Sequence, residues 1–454
     1  MSDRDFDVVV VGAGPAGEVC AGRLAENGLS IALVERDLVG GECSFYACMP
    51  SKALLRPAQA LAEAQRVAGA REAARGELDV PSVLARRDEI IHHLSDHAQL
   101  PWLEDRGVVL ARGHATLTGE REVRVGEELL RASRAVVLAT GSSALIPPIP
   151  GLQQADPWTN REASTAKAIP RSLLILGGGV VGVEMAQAYA SLGARVTIVE
   201  ANSRLIADEE EFASEEVHEA LEKVGVEIVA GEATAIRRES GEGFAMDLKD
   251  GRTFEGEKLL VAVGRSPNTD ELGLEQFGLE GGRPVEVDET MRVPGHDWLY
   301  VVGDANGRVL LTHMGKYQAR LAADHILGRA VPLRSDGRLS PRVIFTEPQV
   351  AAVGYTLAGA RAAGLRVRAA DRPVGANAGG SFVGHDAPGS ARLVLDEDRQ
   401  VLVGATFTGV DVAEFLHAAT VAVVGEVPVT RLRHAVPSFP TRSEVWLGLL
   451  EDLA

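Results

Sequence analysis

Asp7-Val8-Val9-Val10-Val11 is a short apolar run that stops on Gly12-Ala13-Gly14-Pro15-Ala16-Gly17. Glu18 to Asn27 then reads as a helix ended by Gly28, and Ser30 to Val34 as a second strand closing on Glu35. The pattern recurs further along. Ser172 to Leu176 is a strand, Gly177-Gly178-Gly179-Val180-Val181-Gly182 a glycine turn, and Val183 to Leu192 a helix stopped by Gly193. Arg195 to Val199 is the next strand, and it ends on Glu200. Shorter apolar runs deliver polar residues at their ends: Val136 to Ala139 gives Thr140-Gly141, Leu260 to Val263 gives Gly264-Arg265, and Leu299 to Val302 gives Gly303-Asp304. Pro147-Pro148-Ile149-Pro150 and the stretch 336–341 read as linkers. Beyond them, Val343 to Val353, Ser390 to Leu395 and Val401 to Thr408 read as strands, and Val412 to Val424 as a helix, with no glycine fingerprint.

Strand, glycine turn, helix, strand, acid is the order a dinucleotide requires. The glycines allow a tight turn and close approach of the backbone to a pyrophosphate. The helix N-terminus offers oriented N–H groups to the phosphates. Glu35, eighteen residues after Gly17, is placed to accept from the ribose hydroxyls of an adenosine, with Arg36 beside it. Two such units imply two dinucleotides, most simply FAD and a nicotinamide. Glu200 would bond a 2′-hydroxyl and repel a 2′-phosphate, and Arg204 is the one cation close by, so NADH is expected ahead of NADPH. The alternative for the second unit is a duplicate that no longer binds.

Composition narrows the partners. A net charge of −18 argues against a groove for nucleic acid and against an anionic membrane surface. No apolar run reaches a membrane span, and the polar start of the chain does not resemble a signal peptide. A cytoplasmic protein is expected. Three cysteines make no secreted disulfide framework, so a close pair is more readily catalytic than structural.

Cys43 and Cys48 form such a pair, about 26 residues after the first fingerprint, in Gly40-Gly41-Glu42-Cys43-Ser44-Phe45-Tyr46-Ala47-Cys48-Met49-Pro50-Ser51-Lys52. A thiol pair near a redox cofactor suggests electron transfer through a disulfide. On an ideal helix, i and i+5 lie roughly 8 to 9 Å apart at Cα, whereas a disulfide needs about 4.4 to 6.8 Å. A bridge would therefore need a distorted first turn. The alternative is two buried structural cysteines.

From end to end, in the order of these motifs, the chain resembles the class I flavoprotein disulfide reductases, which include dihydrolipoamide dehydrogenase, glutathione reductase and mercuric reductase. The resemblance implies an α/β fold. An FAD-binding domain with a Rossmann-like core (1–149 and 265–336) is interrupted by a second such domain for NAD(P) (150–264), and an α+β dimerisation domain (337–454) follows. It implies that Cys48 faces the flavin and Cys43 attacks substrate, and that Lys52 and Glu184 pair beside flavin N5. Asp304 would hold the ribityl chain. Thr312, His313 and Met314 would open a helix toward the flavin, whose dipole would stabilise negative charge there, and Leu311 before it would also touch the cofactor. Gly12, Gly14, Pro15, Ala16, Gly17, Gly41, Thr140, Gly141, Gly303 and Arg265 would line the FAD site, and Gly177, Gly179, Val181, Gly182 and Gly264 the nicotinamide site. The protein would act as a homodimer that passes electrons from NADH through FAD and the cysteines to a small-molecule acceptor. Val180 stands where several relatives carry a tyrosine lid.

The chain departs from the family near its end. Members that reduce disulfides carry His-Pro-Thr, one variable residue, then Ser-Glu, with the histidine handling the thiol proton across the dimer. Here Phe439-Pro440-Thr441-Arg442-Ser443-Glu444 stands instead, so Phe439 replaces the histidine and Glu444 lacks its usual partner. Losing a positioned acid/base costs about 10² to 10⁴ in rate. His434 or Tyr46 could substitute, although a surface and a packing role respectively are the simpler readings. The expected acceptor is a small disulfide. A quinone, dye or metal ion reduced directly by the flavin is the alternative, and an idle FAD-stabilised scaffold is an alternative of another class. His93 and His97, read as i and i+4 on a helix, have a metal-like spacing but no third ligand, and no metal site is expected.

Overall fold

The computed structural model describes residues 3–238, 243–329, 331–384, 387 and 389–454. The chain divides into two compact units, Met1–Pro50, Asp88–Leu145 and Gly264–Gly337 in the first, and Ser51–Arg87, Ile146–Val263 and Arg338–Ala454 in the second.

The first unit is built on a seven-stranded sheet. Its order is Val109–Arg112, Ile31–Glu35, Asp3–Val11, Glu128–Leu138, Glu122–Val125 and Ala115–Gly119, with Leu299–Val301 also paired to Glu128–Leu138. The run Val8 to Val11 lies parallel to Ile31 to Val34 on one side and to Ala135 to Leu138 on the other. A strand paired on both edges and covered on both faces has no polar side, which is why the run does not alternate. Val8, Val9, Val10, Leu33, Val136, Val137 and Leu299 are fully or almost fully buried, each contributing about 1.5 to 3 kcal/mol by leaving water. The helices Pro15–Ala25 and Thr312–Ile326 pack together so closely that a Cβ on Gly315 would lie 3.4 Å from the Ala16 Cβ.

The second unit holds a four-stranded parallel sheet, ordered Glu227–Ala230, Arg195–Glu200, Ser172–Leu176 and Lys258–Val261, and a three-stranded antiparallel sheet. It also holds a five-stranded antiparallel sheet ordered Arg342–Ile344, Gln349–Gly354, Val401–Gly409, Ser390–Asp396 and Val367–Pro373. The helices Leu416–Val424 and Val445–Asp452 add Leu416, Ala419, Val423, Leu449 and Leu450 to the core on that last sheet.

Four expectations from sequence change. Residues 51–87, grouped above with 1–149, fall in the second unit because Leu54, Leu55 and Val83 join its core beside Val183 and Met185. The stretch Val343 to Val353 is two antiparallel strands, reversed at 345–348, where Pro348 has no N–H to give a ladder and the Thr346 hydroxyl donates to the Pro348 carbonyl at 2.8 Å. Val412 to Val424 is a 3₁₀ turn, Val412–Phe415, followed by the helix Leu416–Val424. His93 and His97 do not share a helix. His92–Leu94 is a 3₁₀ turn with all three residues at positive φ (48°, 51° and 59°), so the i, i+4 geometry never forms.

Candidate redox site

In the first unit the glycine turn is dictated by space. Gly12 has φ 101°, and a Cβ there would sit 2.4 Å from the Ala139 carbonyl oxygen; one on Gly17 would sit 1.8 Å from the Gly12 oxygen. Gly14 meets nothing, so the turn's open side is left for a ligand. Pro15 starts the helix, where its missing N–H costs nothing. Glu35 ties the turn down: one carboxylate oxygen accepts from the Ala13 N–H and the other from the Asp37 N–H, both at 2.7 Å. Glu18, one turn into the helix, is pushed up to about 7, chiefly by burial, with Lys316 opposing and Glu35 adding to the rise.

A cavity of about 210 Å³ opens here, lined by Gly12, Glu35, Arg36, His114, Thr140 and Asn268 among others. The Thr140 hydroxyl is buried with no hydrogen-bond partner, while its carbonyl accepts from the Asn268 side chain at 3.0 Å. An open glycine turn, an orphaned hydroxyl and an acid beside a cavity fit a dinucleotide. Further along, Gly303 has φ 72° and its N–H is held by Gln318 at 2.8 Å. Asp304 follows it. Burial pushes its carboxyl up, against the Ser142 hydroxyl at 2.5 Å and Arg265 at 3.8 Å. Arg265 also donates to the Ser142 hydroxyl and carbonyl, at 2.6 Å each.

The cysteine pair lies on a broken helix. Gly40 and Gly41 both have positive φ, and a Cβ on Gly41 would come within 2.8 Å of the Gly14 Cα, so the cysteine segment lies directly on the glycine turn. Cys43 sits in the short helix Gly41–Phe45. The backbone leaves helical geometry at Tyr46 (φ −132°, ψ −4°), and Cys48 opens the next helix, Cys48–Arg66. The helix is thus interrupted between the two cysteines. The two cysteines stand as thiols, not bridged to each other. Cys43 is hydrogen-bonded to Cys48, which, with burial, raises its thiol far above the ordinary range; Thr312 and Lys316 act the other way. Thr312, the first residue of Thr312–Ile326, stands with its hydroxyl 3.4 Å from the Cys48 sulfur. Leu311 precedes it in extended backbone, and His313 is exposed. Phe45 is buried and Tyr46 partly so, their rings 6.4 Å apart.

The second unit repeats the glycine turn. Gly177 has φ 106°, a Cβ on Gly182 would lie 2.0 Å from the Gly177 oxygen, and Gly179 is open. Glu200 accepts from the Gly178 N–H at 2.5 Å and, through its other oxygen, from the Asn202 N–H and side chain at 2.6 and 2.7 Å. Arg204 directs Nη2 to the Ala207 and Glu209 carbonyls, and its buried Nη1 has no partner. Val180 and Val181 open the helix Val180–Ser191 that follows, Val181 partly buried and Val180 45% exposed. Lys52 and Glu184 form an ion pair at 2.7 Å, with the Glu184 side chain 4% exposed. Gly264, at φ 142°, belongs to the first unit.

Near the end of the chain, Phe439 is 76% exposed and His434 is exposed. The Glu444 Oε2 is buried with no hydrogen-bond partner. Sequence reasoning missed Ser142, Gln318, Glu18 and Phe345. Ser142 adjoins Thr140-Gly141 and Glu18 adjoins the fingerprint, so position hinted at both; Phe345 sat unnoticed inside an apolar run.

Comparison with known proteins shows what the chain as a whole is similar to. The pattern described as pyridine nucleotide-disulphide oxidoreductase matches residues 6–319, and that of its dimerisation domain matches residues 340–449. The dihydrolipoyl dehydrogenase of Chlorobaculum parvum is 33% identical over 98% of this chain and 96% of its own length. The mercuric reductase of Staphylococcus aureus is 28% identical over 97% of this chain and 81% of its own. Among solved structures, LpdA of Mycobacterium tuberculosis superposes with a TM-score of 0.87 at 26% identity, covering 99% of this chain and all of the other. The HOCl-induced flavoprotein disulfide reductase RclA of Escherichia coli does so at 0.86 and 25%, with the same coverage.

Proposed function

Because the chain belongs to the pyridine nucleotide-disulphide oxidoreductases, we propose that it reduces a small disulfide with NADH through Cys43 and Cys48. The family uses FAD and a nicotinamide nucleotide and carries a dimerisation domain, which suggests a homodimer. FAD, when bound, supplies the relay of an electron pair between nicotinamide and dithiol. Its proposed holders are the first glycine turn, Glu35, Thr140 and Asp304. Those for NADH are Gly177 to Gly182 and Glu200, and Lys52 and Glu184 are the proposed pair for the hydride step.

The observation that carries this reading is the thiol pair itself, hydrogen-bonded internally, touching Thr312 and lying on the open glycine turn. The Cys43 sulfur attacks the acceptor disulfide and releases one thiolate. The Cys48 sulfur then attacks Cys43, releases the second, and closes the Cys43–Cys48 disulfide. Overall, NADH, a proton and a disulfide give NAD⁺ and two thiols. Phe439 cannot take the proton that Cys43 gives up, so it leaves to water or by way of Tyr46.

A second reading has a specific observation in its favour. The exposed Phe439 and the unpartnered Glu444 Oε2 provide no proton carrier for thiol chemistry. A quinone, dye or metal ion that takes electrons straight from the flavin needs less thiol acid/base chemistry. Cys43→Ser separates the two: it abolishes NADH-dependent reduction of small disulfides under the first reading, and leaves the turnover of the natural acceptor intact under the second.

A further inference from the structure

The Phe345 ring lies 4.7 Å from the Lys52 ammonium, and the Phe345 N–H donates to the Glu184 carboxylate at 2.9 Å. We infer that Phe345 is a positioning residue for the Lys52–Glu184 pair, fixing both charges at once. The inference rests on the proposed role of that pair in the hydride step.

Glu184 projects from the buried helix Val180–Ser191, and a carboxylate this far out of water needs every oxygen engaged. Lys52 satisfies one oxygen and the Phe345 N–H the other. Besides that oxygen, Lys52 donates to the Ser51 hydroxyl at 3.3 Å, a long bond to its own chain neighbour, and an ammonium on a flexible stem so held can still swing. The face of the Phe345 ring gives it a further attractive surface.

The ring is itself held. The Phe345 carbonyl accepts from Gln59 at 2.8 Å, and Gln59 stands two turns beyond Lys52 on the same helical face. Gln187, one turn beyond Glu184, donates to the Glu347 carbonyl at 2.9 Å and accepts from the Glu347 N–H at 2.7 Å. Arg66 pairs with the Glu347 carboxylate at 2.6 Å. The strap 345–347 is therefore pinned by two helices, and the aromatic ring is delivered to Lys52 by backbone that has no freedom to withdraw it.

The test is Phe345→Leu, which keeps the backbone N–H bond and removes only the ring; Phe345→Met is the substitute if leucine leaves the fold unstable. The chain has six lysines, so [ε-¹³C]lysine labelling gives a short, assignable spectrum of the holoenzyme, with Lys52 identified by its absence in Lys52→Met. Lys52 is expected to show a ring-shifted resonance that moves to the ordinary lysine range in Phe345→Leu and is kept in Phe345→Tyr. Lys258, 5.8 Å from the Trp158 ring, is expected not to move. The rate of flavin reduction by NADH in anaerobic stopped flow is expected to fall about three- to thirty-fold in Phe345→Leu, and to fall no further when the change is made in Lys52→Met. An unmoved Lys52 resonance, or an equal rate loss in the Lys52→Met background, overturns the inference. If Lys52→Met alone leaves the rate unchanged, the role given to the pair falls, while the resonance still reports separately whether the ring holds Lys52.

Discussion

The Thr312 hydroxyl lies 3.4 Å from the Cys48 sulfur, at the first residue of the fifteen-residue helix Thr312–Ile326. A hydroxyl donor and a helix N-terminus both favour negative charge on that sulfur. Burial and the neighbouring sulfur raise the Cys43 thiol, and Cys48 is the proposed thiolate of the reduced pair. A hydrogen bond to a charged group contributes about 1.5 to 3 kcal/mol. Thr312→Val is therefore expected to weaken the long-wavelength flavin–thiolate band of the reduced enzyme at neutral pH and to move its onset about one pH unit higher. Spectra of the two-electron-reduced protein recorded across pH 5 to 9 check this; an unchanged onset would show that the hydroxyl contributes nothing.

Glu18 makes the fold sensitive to pH. Its carboxyl titrates at about 7 in the folded chain against 4.5 as the ordinary value. Between those values the folded state keeps a proton that the unfolded state has lost. The stability that Glu18 contributes is thus fully present below about pH 4.5 and is lost as pH rises through about 7. Glu18→Gln removes the penalty. It is expected to leave stability unchanged near pH 4.5 and to raise it by up to about 3 kcal/mol at pH 8, measured by denaturant unfolding of the two proteins at both pH values. Equal stabilities at pH 8 would contradict the raised carboxyl.

The proposed preference for NADH rests on Glu200. Its carboxylate is fixed by Gly178 and Asn202, and Arg204 turns Nη2 toward its own loop. A 2′-phosphate placed beside that carboxylate is repelled by roughly 1 to 4 kcal/mol, depending on how much water remains. The ratio of kcat/KM for NADH over NADPH is expected to exceed ten, and Glu200→Gln, which keeps the shape and removes the charge, to lower it at least tenfold. Steady-state kinetics with both nucleotides decide it, and a ratio that Glu200→Gln leaves unmoved rules out charge as the selector.

The glycine turns were legible because their physics is local. An apolar run, a crowded glycine and an acid at the next strand's end are separated by a few tens of residues, and each constrains the others. Gly12 and Gly17 accordingly make a crowded turn with Glu35 bonded to it, and Gly177, Gly182 and Glu200 make another. The relationships that were not legible span long separations. Thr312 meets Cys48 across 264 residues, and Phe345 meets Glu184 across 161. Nothing in either segment's own pattern announces its partner. The apolar stretch around Phe345 read as one strand because both strands of a buried hairpin are apolar, and only the reversal at 345–348 divides them. His93 and His97 read as a helical pair because periodicity is blind to the three positive φ values that end the helix there.

The Cys43–Cys48 pair is the center of the functional reading, and anaerobic titration of the purified flavoprotein with NADH tests it most directly. If the pair carries the electrons, a long-wavelength charge-transfer band grows in as two electrons enter, and Cys48→Ser abolishes it. Direct bleaching to reduced flavin, with no such band in the unmodified protein, would mean that the cysteines are bypassed and that the acceptor takes its electrons from the flavin.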